Sequence, residues 1–194
     1  KARQQFAKDA QSYVSYAYAV TASQATDPAV TIEMAEALMA LDPKADAVDT
    51  VASVYLAAMA KGGPAKAIAG ANKILAGRPE NEDALYAVAS NGLTSAPGQA
   101  QAAAQKLVAV MQKKQKPENM SQADFDKRKT TMMGAGYTFA GVVSGVKNRY
   151  ADADRNLRAA LPLIAGNSTM LSYAYYYLGL ANFQMGKLTS DKAK

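Results

Sequence analysis

Apolar residues recur every three or four positions along most of this chain, which is the pattern of amphipathic α-helices. Proline, glycine and helix-capping residues separate the apolar segments at regular intervals. No alternating run of Val, Ile and Thr is long enough to predict a strand. The pattern predicts nine helices, followed by a fragment of a tenth, at about 2–22, 28–42, 45–61, 64–78, 81–96, 99–115, 121–147, 149–167 and 168–186.

Several of these helices begin at residues that favour a helix start. Asp27 precedes Pro28, and proline is well suited to the first helical position. Asn81 precedes the fifth apolar segment, and Ser121 with Asp124 forms a capping-box pair before the seventh. The boundaries of these helices are therefore predicted by local chemistry as well as by periodicity.

The helical segments also repeat. Segment 27–43, DPAVTIEMAEALMALDP, aligns with segment 63–79, GPAKAIAGANKILAGRP, so that prolines coincide near both ends. In the C-terminal half, Tyr137, Ala140, Gly141 and Asn148 reappear 38 residues later as Tyr175, Leu178, Gly179 and Gly186. Helix pairs repeated at such a period are typical of solenoids, in which neighbouring pairs cover the apolar side that no pair can bury alone.

The repeats resemble those of the tetratricopeptide repeat family. The family's proline after the second helix is matched by Pro43, Pro79 and Pro117, whereas the fourth copy has Ala165 and Gly166. The resemblance is carried most clearly by Tyr137, Gly141, Tyr150, Ala153, Leu157 and Ala160, and again by Tyr175, Leu178, Gly179 and Gly186.

This resemblance implies an all-α fold: a right-handed superhelix, or α-solenoid, of about four antiparallel helix pairs and a partial fifth. It implies a single domain over residues 1–194. The expected repeats are 2–43, 45–79, 81–117, 121–166 and a partial copy at 168–194.

The composition excludes most site chemistry. The chain has no Cys and no His, so thiolate and imidazole ligands, cysteine nucleophiles and disulfides are excluded. The glycine-rich run GAGYTFAG follows no predicted strand, so its glycines are expected to serve helix packing. Asp152 and Asp154 point to different sides of a helix. We therefore expect a non-enzymatic protein with no catalytic residue, no metal site and no cofactor.

In the family that the chain resembles, the first helix of each pair lines a concave groove that binds a protein or peptide. The corresponding candidate partner-binding residues here are Leu56, Met59, Tyr86, Ser90, Thr138, Val142, Tyr173, Tyr176, Leu180 and Phe183. The last four lie at spacings of 3, 4 and 3, which form one stripe of a helix. Tyrosine is enriched at interfaces because its large ring carries a hydroxyl at low entropic cost.

Two interpretations of this aromatic stripe stay open. It is either a binding surface or a face that packs against a further helix of the array. None of the candidate groove positions is a cation, which disfavours the clamp for a C-terminal carboxylate found in some family members. An apolar or extended peptide segment fits these side chains better.

The net charge of +6 is concentrated in a basic segment, 106–129. One interpretation is binding of nucleic acid or of an anionic surface, which would weaken steeply with salt. The other is that lysines complement the end of a helix and solvate the connection that follows it. We favour the second because the predicted groove lacks cations. The charges of the segment are Lys106, Lys113, Lys114, Lys116, Lys127, Arg128 and Lys129, against Glu118, Asp124 and Asp126.

The sequence predicts no transmembrane span, since its longest uncharged run, 159–186, is broken by Pro162 and several polar residues. Asn167 begins a glycosylation acceptor motif, and it equally suits the start of a helix. The alanine-rich repeats resemble those of exported bacterial tetratricopeptide proteins, which implies a periplasmic or secreted location. Upstream residues with a charged start and an apolar run would establish export.

Overall fold

A computed structural model describes the backbone of residues 2–192 and the side chains of 5, 6 and 9–188. The fold is 81% helical, and the described residues contain no strand. Consecutive helices up to residue 77 pack against one another, and so do those from residue 97 onward. The prediction of an all-α fold is therefore confirmed.

Nine α-helices lie within the described residues, as the periodicity predicts. A short 3₁₀ turn, Leu161–Leu163, follows the eighth of them. The helices are α1 Ala2–Gln24, α2 Pro28–Leu41, α3 Asp46–Ala60, α4 Pro64–Gly77, α5 Glu82–Asn91, α6 Pro97–Lys113, α7 Gln122–Val146, α8 Tyr150–Ala160 and α9 Ser168–Lys192.

The predicted caps form. The Asp27 carboxylate accepts a hydrogen bond from the Ala29 amide at 2.8 Å. The Asn81 side-chain oxygen accepts from the Ala84 amide at 2.9 Å. The Ser121 hydroxyl oxygen accepts from the amide of Asp124 at 3.1 Å. Each bond satisfies one of the amides that a helix start leaves without a partner inside the helix.

The end of α9 differs from the prediction. The repeat predicts a turn at Gly186 and a new helix after it, but α9 continues unbroken to Lys192. The turn after α7 is held at Asn148, which has a left-handed φ of 58° and accepts a hydrogen bond from the Tyr150 hydroxyl at 2.7 Å. Leu188 stands 38 residues after Tyr150 and has no hydroxyl with which to hold such a turn.

The chain divides into two compact units, Lys1–Ala87 and Val88–Lys194. The boundary lies inside α5 and inside the predicted repeat 81–117. The repeat boundaries therefore stay predictions.

In the first unit, a polar network crosses three helices beside the core. The buried Tyr55 of α3 donates its hydroxyl to Glu36 of α2 at 3.0 Å. Lys73 of α4 donates to the same carboxylate oxygen at 2.6 Å. These bonds fix the register of α2, α3 and α4 around the fully buried Leu38 and Ile74.

The turn between α4 and α5 is fastened to the start of α3. Arg78 pairs with Asp49, lies 3.1 Å from Asp46 and donates to the Lys44 carbonyl at 2.9 Å. Asn81 donates its amide to Asp49 at 2.7 Å. Gly77 ends α4 so close to this region that an added Cβ would lie 2.6 Å from the carbonyl carbon of Pro43.

In the second unit, helices approach through glycines of α7. An added Cβ at Gly136 would lie 2.7 Å from Val108 of α6, and one at Gly141 would lie 2.5 Å from the Leu157 Cγ atom of α8. The glycines of GAGYTFAG therefore pack helices, as expected from the sequence. The core around α8 and α9 consists of Ala153, Leu157, Ala160, Ile164, Ala174, Leu178 and Ala181.

A buried polar cluster joins α6 to the end of α7. Gln101 donates to the fully buried Ser144 hydroxyl at 3.2 Å and accepts a hydrogen bond from Arg149. The backbone amide of Arg149 donates to the Ser144 carbonyl at 2.8 Å. This cluster holds the turn that leads from α7 into α8.

Candidate aromatic groove on helix α9

Helix α9 carries aromatic side chains in contact with solvent. Tyr173, Tyr176 and Phe183 are 51%, 66% and 59% exposed, and they belong to the predicted stripe. Leu180, the fourth member, is half-buried. Exposed rings at helical spacing on one element are the kind of apolar surface that marks interaction sites. We call Tyr173, Tyr176, Leu180 and Phe183 the aromatic stripe.

The opposite side of α9 explains why the stripe faces outward. Ala174, Leu178 and Ala181 are buried in the core shared with α8. Asn182 donates to Asp154 of α8 at 3.3 Å and to the Leu178 carbonyl at 2.8 Å. Because one side of α9 is fixed against α8, the rings of the stripe cannot turn inward.

Two tyrosines of the stripe line an open cavity of about 500 Å³. Its other lining residues are Thr169, Ser172 and Tyr177. The lining combines three aromatic rings with hydroxyl groups, so it can cover an apolar group and donate or accept hydrogen bonds at its edge.

Tyr177 is a cavity residue that does not belong to the predicted stripe. Its ring stands edge-on to Tyr176, with ring centroids 5.0 Å apart and planes at 90°. The ring also covers Gly145 of α7, where an added Cβ would lie 2.6 Å from it. Gly145, near the end of α7, is the sequence signal that could have indicated a large side chain packed there.

The Tyr177 hydroxyl remains a protonated donor at neutral pH. Partial burial raises the pKa of the Tyr177 phenol, and the neighbouring Tyr176 and Tyr173 phenols raise it further. At the far end of the stripe, the Lys187 ammonium lies 4.7 Å from the centre of the Phe183 ring, a cation–π geometry.

The other predicted groove residues are less accessible. Leu56, Thr138 and Val142 are buried, and the Thr138 hydroxyl donates to the Gly134 carbonyl of its own helix at 2.8 Å. The structure groups Tyr173 and Tyr176 at one cavity but gives these three residues almost no open surface. The remaining three, Met59, Tyr86 and Ser90, are half-buried.

A second set of exposed aromatic residues lies on α1. Tyr13 and Tyr16 are 74% and 67% exposed, and Phe6 is also exposed. These side chains belong to the first compact unit and provide a comparison for the α9 stripe.

The basic segment contains lysines that bind the backbone. Lys116 donates to the carbonyls of Pro117 and Met120 at 3.1 and 2.9 Å. Lys129 donates to the carbonyl of Gln112, near the end of α6, at 3.2 Å. These bonds satisfy carbonyls at the α6–α7 connection, which supports the structural interpretation of these two charges.

Asn167 serves as a helix start, since its side-chain oxygen accepts from the Met170 amide at 3.0 Å. Across the described residues, no three His, Cys, Asp or Glu side chains are grouped closely enough to hold a metal ion. Within the same part of the chain, no helix has the length and apolar character needed to cross a membrane.

Comparisons with protein-family models, curated proteins and solved structures find no match to this chain.

Proposed function

We propose that this protein is a non-enzymatic scaffold of the tetratricopeptide type, built as a right-handed solenoid, that binds a segment of a partner protein along the aromatic stripe. The carrying observation is that three rings of the stripe are more than half exposed, two of them beside a cavity of about 500 Å³. Large exposed rings are costly to leave in water and favourable to cover.

The shape and chemistry of the site define the class of ligand. A cavity with three tyrosine rings suits one bulky apolar or aromatic side chain of the partner. The hydroxyls of Thr169 and Ser172 stand at the same cavity and can bond to the partner's backbone. The partner segment is therefore an apolar, extended peptide with at least one large side chain.

The test is selection of displayed random peptides on the full chain, followed by affinity measurement with purified peptides. A Tyr173→Ala/Tyr176→Ala variant removes two rings of the site. A Tyr13→Ala/Tyr16→Ala variant is the matched control, because it removes from α1 two tyrosines that are at least as exposed. We expect the first variant to weaken binding by about ten-fold or more, which corresponds to about 1.4 kcal/mol, and the second to leave binding unchanged.

Helix content of both variants is checked by circular dichroism. Equal loss of peptide binding in both variants, or loss of helicity in the α9 variant, would refute the stripe as the binding surface. Peptides that are selected for acidic residues and released by salt would instead indicate the basic segment.

A further inference from the structure

The repeat relates α7 to α9, and the two helices can be compared position by position. Position 136 of α7 faces α6, the helix before it, and the equivalent Ala174 of α9 lies in the core with α8, the helix before it. The side of each helix that faces the preceding helix is therefore the same in both copies.

The side of α7 that faces the following helix is fully occupied. Added Cβ atoms at Gly134 would lie 2.8 Å from Ile164, and at Gly141 2.5 Å from Leu157. Tyr137, between these glycines, packs against the core of α8 and α9. Gly134, Tyr137 and Gly141 therefore form the surface of α7 against which α8 and the turn after it pack.

The equivalent side of α9 is uncovered in this structure. Ser172 and Gly179 are exposed, and an added Cβ at Gly179 would meet nothing within 4 Å. Tyr175, which stands 38 residues after Tyr137, is 61% exposed. We call Ser172, Tyr175 and Gly179 the open face. It lies beside the aromatic stripe on α9 but does not include it.

We propose that the open face binds an amphipathic helix of a partner protein that has the chemistry of α8: a leucine with alanines four residues before it and three residues after it. We choose a helix with this chemistry because α8 already packs in this way against the equivalent side of α7. In α8 the leucine is Leu157 and the alanines are Ala153 and Ala160, and all three are fully buried.

The helix packing that α7 and α8 begin also continues to α9. Helix α8 packs on both α7 and α9, so the helix that carries the open face is already in contact with α8 on its other side. A glycine in the interior of a helix lowers stability relative to alanine, and no contact within the described residues explains Gly179. Close approach of a second helix, as Leu157 approaches Gly141, explains it. This inference does not require binding at the aromatic stripe, although the open face shares Ser172 with the cavity beside the stripe.

The test uses the chain's own α8 as the probe. A fluorescently labelled synthetic peptide of residues 150–166 is titrated with the full chain, and binding is followed by anisotropy. The control peptide carries Leu157→Asp. In the protein, Gly179→Leu places a large side chain on the open face. Gly98→Leu is the control, because it places the same side chain at another exposed glycine where an added Cβ would meet no atom within 4 Å.

We expect the wild-type chain and the Gly98→Leu variant to bind the peptide equally, and Gly179→Leu to bind it about ten-fold more weakly or not at all. The Leu157→Asp peptide should not bind. Gly179→Leu should unfold at the same urea concentration as wild type or a higher one, because leucine has the higher helix propensity and the position has space.

Absence of binding to wild type, or equal binding to Gly179→Leu, overturns the proposal. A chain that self-associates in sedimentation, and loses self-association with Gly179→Leu, assigns the face to a second copy and also overturns it. The peptide selection is tested at Tyr173 and Tyr176 and the helix docking at Gly179, which does not line the cavity, so the two proposals fail separately.

Discussion

At the scale of single residues, helical glycines occupy two kinds of place in this protein. Gly77 and Gly141 lie where a neighbouring backbone or side chain leaves no space for a Cβ atom. Gly179 faces open space. A glycine inside a helix costs about 1 kcal/mol relative to alanine. Packing among the residues that the structure describes therefore explains the first two glycines and not the third.

Alanine substitution should separate these classes. Gly77→Ala should lower the free energy of unfolding by about 2 kcal/mol or more, because its Cβ would collide with the Pro43 backbone, which cannot rotate away. Gly179→Ala should raise the same free energy by up to about 1 kcal/mol. Urea unfolding followed by circular dichroism measures both, and equal effects at the two positions would contradict the packing described here.

Glu36 gives the stability of the first unit a dependence on pH. The hydrogen bond from Lys73 holds the pKa of the Glu36 carboxyl below its ordinary value of 4.5, partial burial opposes this, and the Tyr55 hydroxyl lowers it further. A lowered folded pKa means that the carboxylate stabilises the fold above the unfolded pKa, and that this contribution is lost as pH falls through the folded pKa.

We therefore expect Glu36→Gln to destabilise the protein at pH 7 by up to about 1 kcal/mol, since the pair with Lys73 is partly exposed to solvent. The difference from wild type should shrink as pH falls below 4.5. The amide oxygen of the introduced glutamine can still accept a hydrogen bond from the Tyr55 hydroxyl, so the substitution isolates the charge. Urea unfolding across this pH range is the measurement, and a difference independent of pH would contradict it.

At the scale of helices, features that depend on residues close in sequence are predicted better than features that depend on contacts between distant residues. The starts at Asp27, Asn81 and Ser121 depend on bonds within a few residues, and all three form. Burial depends on neighbours distant in sequence, so the predicted groove residues Leu56 and Thr138 prove to be buried. Capping and periodicity therefore predict the helices, whereas the lining of the cavity requires coordinates.

The close approach of α7 and α8 can be tested by a double-mutant cycle. Gly141→Ala alone should cost about 1–3 kcal/mol through collision with Leu157, and Leu157→Ala alone about 2–5 kcal/mol through the cavity that it leaves. In the double variant the new methyl group enters the space vacated by the leucine. Its cost should be smaller than the sum of the single costs by about 1 kcal/mol or more, and strictly additive unfolding free energies would contradict direct contact.

At the scale of the whole molecule, the division into two compact units predicts that each unit opens locally with its own free energy. Gly77→Ala should reduce amide protection against hydrogen exchange in α1 to α4, and Leu157→Ala should reduce it in α7 to α9. The reason is that each substitution disturbs packing inside one unit. Exchange followed by mass spectrometry measures this, and a uniform decrease over all helices would show a single cooperative unit instead.

The uncovered glycine of α9 has a consequence for how such a chain evolves. A glycine that lowers helix stability, and whose added Cβ would meet no atom of the described residues within 4 Å, is under no pressure from folding to remain. A lineage that no longer needs the docked helix is then free to acquire a larger side chain at Gly179 and gains stability by doing so. A larger residue at position 179, in a repeat that is otherwise unchanged, would then indicate that the docked helix had been lost.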